Sequence, residues 1–219
     1  LGNRGTLEAA GIGGVVETDW WQSHVLAPSV RVHGVPAQHW TSRGLFDRNR
    51  TLWLGYVVET PSGDVFFAGD TGFGPHFAAI AARFPDLRLA LLPIGAYLPQ
   101  WFMKPVHMNP SEAVAAWRTL GAEHALGIHY GTFRLAEEGQ QQPIADLAAA
   151  LSMPDAPSAI AGGDDVKPLP TQFHGNPGAH ADCFRTPPFG RAWQVPAQCE
   201  RTMLAASQRP VTRAGFADP

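Results

Sequence analysis

Three residues able to bind a metal each close an apolar run in this chain of 219 residues. His39 follows Val30-Arg31-Val32-His33-Gly34-Val35-Pro36-Ala37-Gln38. Asp70 follows Val65-Phe66-Phe67-Ala68-Gly69, and His129 follows Ala125-Leu126-Gly127-Ile128. In a layered α/β sheet, ligands collect beyond the strand ends. Three such runs ending on one edge would gather two imidazoles and a carboxylate, a donor set suited to zinc or a similar divalent ion. Each residue taken singly also has a structural reading. A histidine after a strand can be hydrogen-bonded structure, and an aspartate in Gly69-Asp70-Thr71-Gly72 can form a turn. Spacing alone leaves both readings standing. Cys183 and Cys199 are the two cysteines, so no disulfide framework and no cysteine zinc cage is expected. Any metal site must draw on histidine and carboxylate.

The elements that must position these residues alternate. Leu7 to Ala10 before Gly11 reads as a helix with a glycine stop. Val15 to Trp21 and Val30 to Val35 read as strands. Leu52 to Glu59 and Val65 to Ala68 flank Pro61-Ser62-Gly63-Asp64, which predicts a hairpin. Phe77 to Phe84 has helical spacing, and Leu89 to Ile94 is a buried-strand pattern. Asn109-Pro110-Ser111-Glu112 predicts a helix start, with Asn109 as cap, Pro110 in the first position and Glu112 complementing the dipole. Ala125 to Ile128 predicts a further short strand, and Ala145 to Leu151 a last helix. Strand–helix alternation after a hairpin predicts an α/β layered sheet.

Composition divides the chain near residue 151. The last 68 residues hold ten of the 20 prolines and only ten Leu, Ile, Val or Phe, below the share that marks a globular segment. Residues 152–219 are therefore expected to form an irregular, Pro-rich, disordered tail behind a domain at 1–151. A net charge of −3 leaves no electrostatic footprint for nucleic acid. No apolar run approaches the roughly 20 residues of a membrane span. The first residues lack the basic and apolar regions of a signal peptide, so the default expectation is a cytoplasmic location.

The ordered motifs carry more than their spacing. Val35-Pro36-Ala37-Gln38-His39-Trp40, then Gly44-Leu45-Phe46-Asp47-Arg48-Asn49, resembles the metallo-β-lactamase superfamily. More narrowly, the chain resembles the branch containing N-acylphosphatidylethanolamine-hydrolysing phospholipase D. Phe66 to Gly72 matches the second metal motif of that branch, and Gly127 to Phe133 its last. Pro93 to Tyr97, Trp101 to Lys104 and His107 to Ala113 continue the match between them. The similarity covers residues 1–151. That branch also carries an upstream His-x-His-x-Asp-His motif supplying four ligands to a two-zinc centre, and this chain contains no such motif. The fold implied is the C-terminal half of an αββα sandwich followed by an irregular tail. The expectation is a truncated gene or a partial sequence.

The resemblance implies that His39 binds one zinc, His129 the other, and Asp70 bridges them. Two metals about 3.5–4 Å apart share a hydroxide whose pKa falls toward 7, and that hydroxide attacks phosphorus in a phosphodiester. Asp70 and His107 form the implied catalytic set. His107 orients substrate phosphate or moves a proton, with a structural hydrogen bond as the alternative. Thr71 is a candidate for holding Asp70. The implied cofactor is Zn2+, two ions per complete site, bound weakly or not at all by this chain alone, which is then without measurable turnover. Implied partners are a phospholipid or other phosphodiester, a peripheral membrane contact through aromatic residues such as Trp101 and Phe102, and a second copy at the exposed sheet face. A lactonase or another hydrolase on this fold is the alternative enzyme. An inactive fragment or interaction module is the alternative outside enzymes.

Overall fold

The computed structural model describes residues 1–153 and 182–199. Seven strands form one sheet in the order β1 (Ser23–Ala27), β2 (Val30–Val35), β3 (Gly55–Glu59), β4 (Asp64–Phe67), β5 (Leu87–Pro93), β6 (His124–Ile128) and β7 (Phe184–Arg185). Strands β1 to β4 pair antiparallel, and β4 to β7 pair parallel. The helices are α1 (Arg4–Ala9), α2 (His76–Arg83), α3 (Gln100–Met103), α4 (Pro110–Leu120) and α5 (Gln142–Ser152). Helix α2 connects β4 to β5, and α4 connects β5 to β6. Such crossovers are right-handed, which sets both helices on one face of the sheet. Helix α4 packs against α2, α5 and β5. One sheet and one helical layer make half of a four-layer sandwich.

Alternation along β3 and β4 separates the two faces. Val57 and Phe66 pair across the strands and are buried, while their neighbours Tyr56 and Phe67 also pair and stay about 40% exposed on the opposite face. Phe66 meets Phe77 of α2 edge to face, at 6.2 Å between ring centres. Ala113, Val114, Ala116, Trp117 and Leu120 give α4 its buried stripe.

Helix α4 begins as its sequence predicts. The Asn109 side chain accepts from the Glu112 amide at 2.9 Å, and the Glu112 carboxylate accepts from the Asn109 amide at 3.1 Å. Gly121, at φ 66, ends the helix in the left-handed conformation that glycine adopts without strain. Asn109→Ala removes one half of the reciprocal cap. The expected loss is about 1 kcal/mol, measured by urea unfolding.

Several elements differ from the sequence reading. Residues 15–21 are not a strand. Trp21 takes φ 68 and donates its amide to the Gly34 carbonyl at 2.7 Å, while the Trp20 indole donates to the Trp53 carbonyl at 2.9 Å. The turn this produces delays the strand to Ser23. Helix α5 starts at Gln142, three residues before the expected start, with Pro143 in its first turn. The short helix α3 occupies a segment to which the sequence reading assigns no element.

Within residues 182–199, expected in the irregular tail, Phe184–Arg185 pairs with β6 and the remainder has no regular element. Phe184 is buried against Trp117 with ring centres 5.7 Å apart, and Ala125 donates to the Cys183 carbonyl at 2.8 Å. Cys183 and Cys199, from which no disulfide framework was expected, form a disulfide. The rest of the expected tail, 154–181 and 200–219, lies outside the described residues. Among the described residues, no helix is long and apolar enough to cross a membrane.

Candidate metal centre

Strand directions place the candidate residues together. Strand β2 is antiparallel to β3 and β3 to β4, so β2 runs with β4, and β5 and β6 run parallel to it. The C-terminal ends of all four strands therefore share one edge, and His39, Asp70 and His129 follow three of them. His107 reaches the same edge from the segment between α3 and α4.

Local contacts set each side chain. The Gln38 amide donates to the Thr71 hydroxyl, and the Gly72 amide donates to the Gln38 carbonyl, both at 2.9 Å. These bonds stitch the His39 loop to the Asp70 loop. The Thr71 hydroxyl is thus engaged with Gln38, Gly72 and His76, the last at 3.2 Å, rather than serving Asp70. The Gln38 side-chain amide donates to the Pro105 carbonyl at 2.8 Å, which brings in the segment carrying His107. Gly72 sits where these strands of chain meet, and a Cβ there would lie 2.8 Å from Gln38 and 2.9 Å from the Pro105 carbonyl.

Four donors converge. Ligand atoms of His39, Asp70 and His107 all lie within 4.8 Å of one another. His129 Nε2 stands 3.3 Å from Asp70 Oδ2. The His107 ring meets the His39 ring edge-on at 5.1 Å and stacks on the His129 ring at 5.4 Å between centres. His39 Nδ1 lies 2.9 Å from the Trp40 carbonyl, which leaves Nε2 as its free nitrogen. His39 Nε2, His107 Nδ1 and His129 Nδ1 are buried atoms without a hydrogen-bond partner. Buried polar atoms are nearly always paired. Unpaired nitrogens on His39 and His107, whose ligand atoms gather with the Asp70 carboxylate, fit a divalent cation of the borderline class, and His129 turns Nε2 toward the same carboxylate.

Electrostatics fit the same reading. The His129 ring beside Asp70 holds that carboxyl below the usual carboxylate range, against the opposing effect of burial. Asp70 in turn raises the His129 imidazolium. Burial, reinforced by His39 and His129, lowers His107 from 6.5 to about 4, and burial alone takes His76 to about 4. Both rings are therefore neutral across the physiological range. A histidine with a depressed folded pKa takes its proton more readily in the unfolded chain. Its destabilising effect is absent above about pH 7 and grows as pH falls from 6.5 toward 4. In the metal-free protein, the His107 and His76 ring protons should show no titration by NMR between pH 8 and 5.5.

Other expectations resolve locally. The Asp47 carboxylate orders the loop after His39 by accepting from Ser42 Oγ at 3.0 Å and the Gly44 amide at 2.8 Å. Arg48 lies over the Trp40 ring at 5.0 Å. Two contributors escaped the sequence reading. Glu138 accepts from the amides of Ala96 at 2.6 Å and Leu98 at 3.2 Å, tying the loop after His129 to the loop after β5. Gly95 lets those two loops touch, because a Cβ there would lie 2.2 Å from the His129 carbonyl oxygen. Glu138 sits in Ala136-Glu137-Glu138-Gly139, which reads as a solvated charged turn.

Comparison with known proteins agrees with this geometry. The sequence profile of the β-lactamase superfamily domain matches residues 4–130, and the chain belongs to that superfamily. Within it, the chain is similar to N-acylphosphatidylethanolamine-hydrolysing phospholipases D. The mitochondrial N-acyl-phosphatidylethanolamine-hydrolyzing phospholipase D of Saccharomyces cerevisiae is 35% identical over 148 residues, covering 65% of this chain and 32% of the yeast protein. The corresponding phospholipase D 1 of Caenorhabditis elegans is 38% identical over 142 residues, covering 61% of this chain and 40% of the worm protein. This chain thus spans about a third to two fifths of the length of these two relatives. Among solved structures, the metallo hydrolase Igni18 of Ignicoccus hospitalis superposes with a TM-score of 0.50 at 22% identity, over 67% of this chain and 58% of that one. Membership of a metallo-hydrolase superfamily implies a divalent metal, which the unpaired nitrogens at this edge are suited to hold.

Proposed function

We propose that this edge is part of the active site of a zinc-dependent phosphodiester hydrolase of the phospholipase D type. The observation that carries the reading is the gathering of His39, Asp70 and His107 ligand atoms within 4.8 Å, with His129 Nε2 3.3 Å from Asp70 Oδ2. His39, Asp70 and His129 would hold the metal, with Asp70 placed to serve two ions because a carboxylate has two oxygens. Bound zinc supplies Lewis acidity to a phosphoryl oxygen and lowers the pKa of water.

The chain's own residues do the rest. Neutral His107 orients a phosphoryl oxygen through its ring N–H or accepts a proton at its free nitrogen. Asp70 fixes the His129 ring by the 3.3 Å contact. Exposed apolar side chains on the segments leaving this edge, Leu45 and Phe46 on a loop and Trp101 and Phe102 on α3, support a lipid substrate.

The chain contains no His-x-His-x-Asp-His motif, so it supplies three of the ligands that the resemblance implies. The test is hydrolysis of N-acylphosphatidylethanolamine, with metal analysis after dialysis. The chain alone is expected to retain little zinc and to give no measurable turnover. A polypeptide joining it to the motif-bearing segment is expected to hold two zincs and to turn over. Two tightly held zincs and turnover by this chain alone would overturn the ligand assignment. Inactivity of a zinc-loaded joined form would overturn the substrate assignment.

A further inference from the structure

Residues 183–199 form a strap beside β6, closed on itself by the Cys183–Cys199 bond with 5.6 Å between the Cα atoms. Cys183 lies beside Ala125, so the bond stands at the end of β6 away from His129. The strap touches both ends of that strand. At the start of β6, the His124 ring meets Trp193 edge-on at 5.9 Å between centres, and His124 Nε2 lies 3.1 Å from the Pro196 carbonyl. Arg88 of β5 donates to the Val195 and Pro196 carbonyls at 3.0 and 3.2 Å. Past the other end of β6, Phe189 packs on Tyr130 with ring centres 5.5 Å apart. The two ends of the strap are held differently. Cys183 and Phe184 are buried, so packing seats the near end. From Thr186 onward there is no regular element, and Phe189 is 66% exposed. The covalent bond limits how far this second part can travel. Cys199 is half-buried, so its sulfur is open to a thiolate from solvent.

We propose that Cys183 and Cys199 form a thiol–disulfide switch, which keeps the second part of the strap on β6 when oxidised and releases it when reduced. Release uncovers His124 and frees the Tyr130–Gly131 loop from Phe189. The inference goes beyond the hydrolase reading and does not depend on it. Reduction takes two steps with a low-molecular-weight thiol. A thiolate attacks the Cys199 sulfur, the S–S bond breaks, and Cys183 leaves as a thiolate that takes up a proton. A second thiolate attacks the small-molecule sulfur of the mixed disulfide and releases Cys199, which is also protonated. Two small thiols are thereby oxidised to one disulfide and the protein gains two thiols. Oxidation by that small disulfide runs the same steps in reverse.

The experiment follows the 219-residue chain by NMR, without added metal, in reduced glutathione and then in glutathione disulfide. Failure of the hydrolase reading would leave these readouts unchanged. Excess reduced glutathione is expected to yield two titratable thiols and to abolish the Overhauser contacts of Trp193 with His124 and of Phe189 with Tyr130. Glutathione disulfide should restore both contacts. Cys199→Ser removes the bond at its half-buried end and needs no reductant. Trypsin should cut this variant after Arg191 at least about tenfold faster than the oxidised parent. Amide exchange in β3, three strands from β6, should stay the same in parent and variant. A bond that resists excess reduced glutathione is a fixed crosslink and overturns the switch. Ring contacts that survive reduction, or equal cleavage of parent and variant, overturn the release. Faster exchange of β3 by the same factor overturns it too, since the bond would then support the whole fold.

Discussion

Asp70→Ala is expected to lower the weak divalent-metal affinity of this chain further while leaving the sheet intact. Among the described residues, Asp70 is the one carboxylate in the candidate trio with His39 and His107, and it also touches His129. Without it the site offers neutral imidazoles and no charge to offset a dication. Metal affinity should fall at least a hundredfold in a competition titration with a chromophoric chelator. The side chain is 43% exposed, so its removal leaves no cavity in the core. The pH dependence follows from the depressed Asp70 pKa. The carboxylate contributes stability above its unfolded value near 3.8, and this is lost as pH falls through the lower folded value. Parent and variant should therefore differ in stability at neutral pH and converge in acid. His129 should titrate lower in the variant, because the carboxylate that raises it is gone. Unchanged metal affinity would remove Asp70 from the site.

Gly95→Ala should damage both stability and the metal centre. The added Cβ would lie 2.2 Å from the His129 carbonyl oxygen and 3.2 Å from the Tyr130 Cα. Both neighbours are backbone, so no side chain can rotate aside. His129 already sits at φ 60, a left-handed conformation that leaves it little room to move. The adjacent amide of Ile94 is tied to the Ile128 carbonyl at 3.0 Å, so relief must come from separating β5 and β6 near their ends. We expect a loss of about 2–3 kcal/mol in urea unfolding, in the range of overpacked sites. Metal affinity should fall in parallel as His129 is displaced. Gly139→Ala is the control, since its Cβ would meet nothing within 4 Å. Equal stability of the two variants would show that the loops separate freely.

The parts of the fold that were legible share a physical cause. Strands β2, β4, β5 and β6 bury side chains, and burial writes apolar runs into sequence. The cap of α4 was legible because Asn109, Pro110 and Glu112 each perform a local task at a fixed offset. Strand β1 was missed because four of its five residues are exposed, so its sequence carries no alternation. The preceding apolar run from Val15 misled for the converse reason. Its tryptophans pack and hydrogen-bond without joining a ladder. Strand β7 is two residues long, and Phe184 alone cannot mark a strand in a proline-rich stretch. At the site, strand-end position made His39, Asp70 and His129 legible. Their convergence with His107 depends on bonds such as Gln38 to Pro105, which join residues far apart in sequence. Glu138 acts on backbone amides of another loop, and no local pattern records that.

The late arrival of β7 has a consequence during synthesis. Residues emerge from the ribosome at about 5–20 per second, so Phe184 follows Ile128 by roughly 3–11 seconds. Through that interval the nascent sheet ends at β6, whose open parallel edge can recruit any extended segment within reach. The short stretch Cys183-Phe184-Arg185 closes this edge, with Phe184 seated on Trp117 as its anchor. A ribosomal pause between the two strands lengthens the exposure, and termination before Cys183 makes it permanent. The seventh strand thus covers an edge that stands open until Phe184 is made.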